Sequence, residues 1–530
     1  KKLKSKCIKL LSDKIKKGGN NPEMMNYIND TMNNLTDSFK ENINNPEELL
    51  KFLNANLKPT KEKKEKNGEV FTPIDLIKEM MNKLTEANPN IWSNPNLKWL
   101  DPASGMGNFP VVVYLRLMEG LPIPNIEERR KHILENMLYM VEYDRTNSFM
   151  MSKIFCGDKY KLNIFTGSFI EDERYEKEGI DIFSLDETKI KKYKYKNYAE
   201  ENKRFCRNVN TFGGKFDIIM GNPPYNSGGI LAYNHKKNTT ERKVIWEIFI
   251  NGSFKILKDN GYFIFINPLY WLKSTNILHN FLLEKHIIWL LLWDNSKSKE
   301  IINGDIPLSI YLIHNTINKN KNKTEIVTIS KRKNINKISY IYLDKNYTIP
   351  LAFHSLYIKL LNYITTNNLQ LEYFTKKVKS TGEKFKLPPK YTISNMFAVD
   401  TFRIKEGILV KKALSIHPDL KKNKLIIANK SGFNGIFIDN GRLALTGNKK
   451  YYILGDKLEL ILKLLNFKIF NIICQFTKYE QDYLDSVVFK YIPDIRKLGI
   501  KDITEDIFYK LIKLTKDEID EIKNFNKKDI

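Results

Sequence analysis

Residues 215–229 read KFDIIMGNPPYNSGG. An apolar run, Phe216 to Met220, has the length and composition of a buried strand and stops at Gly221. Asn222, Pro223, Pro224 and Tyr225 follow. Neither proline carries an N–H and both fix φ, so neither a strand ladder nor a helix continues through them. The chain stiffens itself at a strand end, with an amide side chain before the prolines and an aromatic ring after them.

Working outward, the surrounding sequence alternates strand and helix patterns. Candidate strands lie at 97–101, 138–144, 163–169, 216–220, 262–267, 287–293 and 308–315. Helical spacing fills intervals between them, as in RKVIWEIFINGSFKILK at 242–258. This alternation predicts a parallel sheet with helices on both faces. Residues 1–57 are polar with apolar residues at helical spacing, and a charged linker at 58–69 follows. Residues 171–212 are charged and rich in Tyr and Lys, and read as an insertion. A mixed connector at 316–375 leads to a second region, 376–530, of short strands (KLIIANK, NGIFIDN) followed by helices.

Of 530 residues, 42% are hydrophobic, enough for large buried cores and too many for a disordered chain. The net charge of +26 favours a polyanionic partner such as nucleic acid. The apolar run IIWLLLW at 287–293 is far too short to span a membrane, and no signal peptide is evident. A cytoplasmic protein of prokaryotic or viral origin is expected. The sequence opens on Lys1, so residues ahead of it are expected too. Four scattered cysteines and seven histidines form no zinc or disulfide pattern, and no metal site is expected. The H-E-x-x-H, G-x-S-x-G and P-loop signatures are missing as well.

Two further stretches carry chemistry. DPASGMGNFP at 101–110 follows the first candidate strand. Gly105 and Gly107 let backbone approach a ligand closely, and Asp101 at the strand end can face a cation or an amine. VEYD at 141–144 ends the next strand with Glu142, placed to accept hydrogen bonds from a ribose.

In order, these stretches resemble amino-group methyltransferases that use S-adenosylmethionine, specifically the gamma class of DNA N6-adenine methyltransferases of restriction–modification systems. GEVFTP at 68–73 looks like that class's upstream cofactor-binding element, followed here by the glycine loop and then Asn-Pro-Pro-Tyr. The likeness covers roughly 60–315 and extends more loosely over 376–530. It implies a Rossmann-like methyltransferase domain with a mostly parallel seven-stranded sheet at 58–315. It also implies a mixed α/β target-recognition domain at 376–530, with duplex DNA as partner and room for a separate endonuclease partner.

The resemblance also implies roles. The Asn222 side-chain oxygen and the Pro223 carbonyl would accept the two N–H bonds of a flipped adenine's amine, with Pro224 holding the turn and Tyr225 stacking on the base. Thr72 and Pro73 would lie over the cofactor's methionine part, with Asp101, Ala103, Gly105 and Gly107 around it. Glu142 would bind the ribose, and Tyr143 and Phe169 would pack on the cofactor's adenine. Ser168 stands where the family has an aspartate, so looser cofactor binding is expected. Direct displacement requires neither metal nor covalent intermediate.

The family's second base-stacking aromatic has no counterpart in WDNSKSKEIINGDIPLS at 293–309, because Trp293 reads as part of the strand. Residues 1–60 show no nuclease cluster of the Asp…Glu-x-Lys kind, so cleavage is not expected of them. Two alternatives stay open: an RNA or protein amino-group methyltransferase on the same fold, and a DNA-binding specificity subunit that has lost catalysis.

Overall fold

The computed structural model describes residues 72–143, 145–157, 159–166, 169, 215–225, 245–302, 306–317, 322–330, 335–345, 347–388, 397–403, 407–428, 433–446, 450–477, 479 and 484–525. The helical segment expected at 1–57 and the insertion expected at 171–212 lie outside these residues.

All seven candidate strands are present. They are β1 (Trp99–Asp101), β2 (Leu138–Glu142), β3 (Asn163–Thr166), β4 (Phe216–Gly221), β5 (Leu257–Pro268), β6 (Lys285–Trp293) and β7 (Leu308–Ile317). They are joined by α1 (Ile74–Ala87) ahead of β1, then α2 (Asn108–Gly120), α3 (Ile126–His132), α4 (Arg145–Ile154), α5 (Trp246–Ile256), α6 (Ile277–Leu283) and α7 (Asn295–Ile302). The sheet has nine strands rather than seven, in the order 3-2-1-4-5-7-6-8-9. The extra two, β8 (Thr324–Ser330) and β9 (Ile335–Ile341), come from the segment expected to be a connector. In TEIVTIS every second residue is buried, so β8 is a half-polar strand with no apolar run to announce it. It pairs parallel to β6 and antiparallel to β9.

Strands β3, β2, β1, β4 and β5 are parallel, whereas β7 runs antiparallel between β5 and β6. The chain leaves β1 toward β2 and β3 and returns on its other side as β4. The boundary between β1 and β4 is therefore the switch point, where doubly wound sheets open a crevice beyond their strand ends. The flanking helices follow from sequence. α1 buries Ile74, Ile77, Met80, Met81 and Leu84 at spacings of three and four. α2 buries Phe109 through Leu115 continuously and sits inside the layer.

The carboxyl-terminal region holds a four-stranded sheet, β10 (Phe385–Lys386), β12 (Gly407–Lys412), β11 (Phe397–Arg403) and β15 (Leu443–Leu445), in that spatial order. A three-stranded sheet has β13 (Asn423–Ile427) between β14 (Ile436–Asn440) and β16 (Tyr451–Leu454). Phe397, Val399, Val410, Ile426, Leu445 and Tyr452 form a separate small core there. The later helices, from α9 (Leu458–Leu465) and α10 (Lys468–Phe476) onward, return to the main core. The Tyr357 hydroxyl, on α8 (His354–Thr366), donates to the Ile473 carbonyl at 2.7 Å, and Lys273 pairs with Asp485 at 2.6 Å. The core thus runs on past residue 376, where the sequence suggested a boundary.

Candidate active site at the switch point

Asp101, Glu142 and Gly221 end β1, β2 and β4, three parallel neighbours, so topology brings them to one edge. Between β1 and α2 the glycine loop is tied to β2. Ser104 N–H donates to the Val141 carbonyl at 2.9 Å, and Gly105 N–H donates to Glu142 Oε2 at 2.7 Å. Asn147 Nδ2, one turn into α4, donates to Glu142 Oε1 at 3.4 Å. Gly107 leads into α2 at φ +95°, and a Cβ there would meet the Met151 side chain at 3.1 Å. Only glycine meets both conditions without strain.

Asp101 is 1% exposed. Its Oδ1 accepts the Ala103 N–H at 3.0 Å, while Oδ2 has no partner among the described residues. Burial pushes its pKa up to about 7, against the opposing pull of the Ala103 N–H. Gly221, at φ +154°, lies against this carboxylate, and a Cβ there would stand 2.9 Å from Asp101 Oδ1. The residue before Asn222 is therefore a glycine because the aspartate occupies the space.

Asn222 is held from two sides. Its Nδ2 donates to Thr72 Oγ1 at 3.1 Å, and its Oδ1 accepts the Tyr225 hydroxyl at 2.8 Å. Thr72 is itself fixed, because its carbonyl accepts from Asn108 Nδ2 at 3.0 Å. Residues 150 positions apart thus meet directly through the Thr72–Asn222 bond. A carbonyl oxygen has two lone pairs, so Asn222 Oδ1 retains one acceptor site beyond Tyr225. Tyr225 is only 8% exposed, and burial raises its hydroxyl well above the ordinary tyrosine range. Its ring is covered, where the expected base-stacking role needs an open face.

The remaining candidates divide. Pro73 is the residue ahead of α1, and Ala103 lies in the glycine loop. Tyr143 is 41% exposed just beyond Glu142, whereas Phe169 is buried and stacks on Phe249 at 5.5 Å. Pro223 and Pro224 follow Asn222 outside any helix or strand. Ser168 lies outside the described residues. Trp293 is buried within β6. Sequence reading missed Asn108 and Asn147, which brace Thr72 and Glu142; each follows a motif residue closely, but nothing in a lone asparagine marks it as a brace.

The Thr72 contact yields a test. Thr72→Val removes one hydrogen bond of about 1–1.5 kcal/mol, and should lower kcat of a transfer reaction about tenfold while leaving cofactor affinity within about twofold. Thr72→Ser should restore the rate. Steady-state kinetics with titration calorimetry separate the two effects, and a fall in affinity alone would assign Thr72 to the cofactor instead.

Residues 125–299 match the family described as Eco57I restriction-modification methylase. A curated relative from Mycoplasma pneumoniae, described as an uncharacterized adenine-specific methylase, is 29% identical over 255 residues, covering 40% of this chain and 58% of the relative. The chain thus spans under two thirds of that relative's length. Among solved structures, the methyltransferase subunit of a type I restriction-modification system from Streptococcus thermophilus is 13% identical, with a TM-score of 0.31 over 52% of this chain and 50% of that one. The Type IIL restriction-modification enzyme MmeI, solved in complex with DNA, is 11% identical, with a TM-score of 0.42 over 84% of this chain and 70% of that one. This chain is thus similar over residues 125–299 to the Eco57I restriction-modification methylase family, and separately to a relative described as an adenine-specific methylase.

Proposed function

We propose that this chain transfers a methyl group from S-adenosylmethionine to the 6-amino group of adenine in duplex DNA, as the modification component of a restriction–modification system. The observation that carries the reading is the Asn222 amide, locked by Thr72 at the switch point beside the Asp101 carboxylate. The family match and the adenine-specific methylase relative support it.

The residues fit the cofactor. Asp101 Oδ2 is buried and unpartnered among the described residues, as a carboxylate awaiting an ammonium group would be. The Gly105–Gly107 backbone leaves room for close approach, and Glu142 and Tyr143 stand at the end of the neighbouring strand. When bound, S-adenosylmethionine supplies an electrophilic methyl group on a sulfonium. The chain's part is to position the acceptor. An adenine amine is a poor nucleophile because its lone pair is delocalised into the ring. Asn222 Oδ1 and the Pro223 carbonyl accept its two N–H bonds, favour a more tetrahedral nitrogen, and aim its lone pair. Both acceptors are held before the base arrives, so little reorganisation remains at the reaction step. A base in a duplex must first be flipped out, which costs a few kcal/mol.

The body built on β10–β16 is assigned here to DNA recognition, with its lysines supplying phosphate contacts. Affinity for duplex DNA should then fall steeply with salt, by about 0.9 log units per log unit of salt for each phosphate neutralised. A flat response in fluorescence anisotropy would remove the electrostatic argument. The deciding experiment offers labelled S-adenosylmethionine with duplex DNA, RNA and protein in parallel. N6-methyladenine in DNA supports the reading, and label confined to RNA or protein replaces the substrate.

A further inference from the structure

Beyond β12 the chain forms a loop, 413–422, on which Leu414 is 63% exposed and Ile416 74% exposed. Single exposed aliphatic residues are ordinary on any surface. These two are not on a slack loop. Leu414 N–H donates to the Lys379 carbonyl at 2.8 Å, and Ala413 bridges to Ser380, pinning the start of the loop to the segment before β10. His417 follows Ile416 and is buried. Its Nδ1 accepts the Asp419 N–H at 3.1 Å, which leaves the proton on Nε2 for the Lys376 carbonyl at 3.0 Å. Burial lowers its pKa and so favours this neutral ring.

The far side is held more firmly still. The Tyr452 hydroxyl donates to Asp419 Oδ2 at 2.6 Å. Lys424, fully buried, pairs with Asp439 at 2.9 Å and donates to the carbonyls of Asp419 and Lys422 at 3.2 and 3.1 Å. A buried ion pair is costly to desolvate and gives fixed geometry in return only when its remaining donors are satisfied, as these are. The loop is a braced mount, and what it displays at its tip is two aliphatic side chains.

The rim around that tip is cationic. Lys376, Lys377, Lys379, Lys412, Lys421 and Lys422 are exposed, and all lie on the loop or on the two strand segments that pin it. The loop's own carboxylate, Asp419, is buried and engaged by Tyr452 and Lys422. A protein partner for an aliphatic tip would not call for six exposed lysines around it, when the only loop carboxylate, Asp419, is buried and already paired with Lys376 and Lys422. A duplex would, because its phosphates line the rim while its stacked bases offer an apolar interior to a side chain that enters a base step.

We propose that Leu414 and Ile416 form an apolar wedge that enters the base stack of duplex DNA, with the surrounding lysines seated on the flanking phosphates. This rests on the reading of the chain as a DNA methyltransferase and names the surface through which it would unstack its substrate. Insertion at the stack offsets part of the cost of extruding a base. The tip is exposed in the free protein, so changing it leaves the fold and the cofactor site intact.

The test is kcat/KM for labelled-methyl transfer into genomic DNA from a methylation-deficient host, measured across a salt series. L414S/I416S should lose about tenfold or more with an unchanged salt slope, because no phosphate contact has been removed. K412A/K421A should lose activity with a slope shallower by about 2. I416K decides between a wedge and a mere surface loop: a lysine cannot enter the stack, so transfer should fall, whereas a solvent-exposed loop near phosphates would gain. Thermal unfolding and cofactor affinity of all three variants should match the wild type. Wild-type rates in L414S/I416S, or a gain in I416K, overturn the wedge. A wild-type protein that methylates no DNA overturns the underlying reading instead, and the two failures are thereby distinct.

Discussion

Asn222→Ala is expected to lose methyl transfer by about 100- to 1000-fold, the effect of removing one preorganised polar group from a transition-state site. The loss should fall on kcat, with S-adenosylmethionine affinity within a few-fold of wild type. The reason is local. Asn222 Oδ1 already accepts the Tyr225 hydroxyl at 2.8 Å and Nδ2 donates to Thr72 at 3.1 Å, so the amide is held in one orientation before substrate arrives. Alanine removes the acceptor for the amine and also leaves the buried Tyr225 hydroxyl without its partner, at about 1–3 kcal/mol of stability. Asn222→Asp keeps acceptors for both the Tyr225 hydroxyl and the amine but loses the Nδ2 donor to Thr72, so stability should return and turnover should recover in part. Single-turnover transfer and chemical denaturation of both variants provide the measurement. An Asn222→Ala enzyme with near-wild-type turnover would sink the mechanism.

The second large effect concerns Asp101, where stability and function oppose one another. In the folded protein its pKa is raised from 3.8 to about 7 by burial. As pH rises between those two values, the unfolded chain gives up this proton first. Stability from this group is therefore full below about pH 4, declines through the window, and levels off above about pH 7. The whole decline is about 4 kcal/mol, at 1.36 kcal/mol for each pH unit. Asp101→Asn carries no charge to bury. At pH 8 the cofactor-free variant should be more stable than the wild type by roughly 1–3 kcal/mol, after about 1–3 kcal/mol is deducted for an unpaired amide N–H. The advantage should vanish toward pH 4. Cofactor affinity should fall about tenfold or more, since a charge-assisted partner for the ammonium is lost. Denaturant titrations at two pH values, with calorimetry for the cofactor, give both results. A variant no more stable at pH 8 would show that the carboxylate is better solvated than its burial indicates.

Much of the candidate site was legible because it is written in short motifs at strand ends. Asp-Pro-x-x-Gly-x-Gly, Val-Glu-Tyr-Asp and Asn-Pro-Pro-Tyr each follow an apolar run, and all three runs are strands of one sheet. What escaped was structure carried by weak patterns. Strand β8 alternates Thr, Ile, Thr and Ser on its buried face and lacks a long apolar run, so the nine-stranded sheet was expected to stop at seven. The braces Asn108 and Asn147, and the reach of the core into the carboxyl-terminal helices, have no local signature at all.

By itself the sequence determined the strand ends and the glycine turns, and it singled out the Asn222 amide as a candidate. These depend on residue type within a few positions: a missing N–H, a missing Cβ, a run of apolar side chains. Tertiary structure alone decided which of those pieces touch. It set Thr72 against Asn222, placed Gly221 over the Asp101 carboxylate, covered Tyr225, and raised two aliphatic side chains above a rim of lysines. Those outcomes depend on the order in which strands pair and on how much water each group loses, and neither is a local property of the chain.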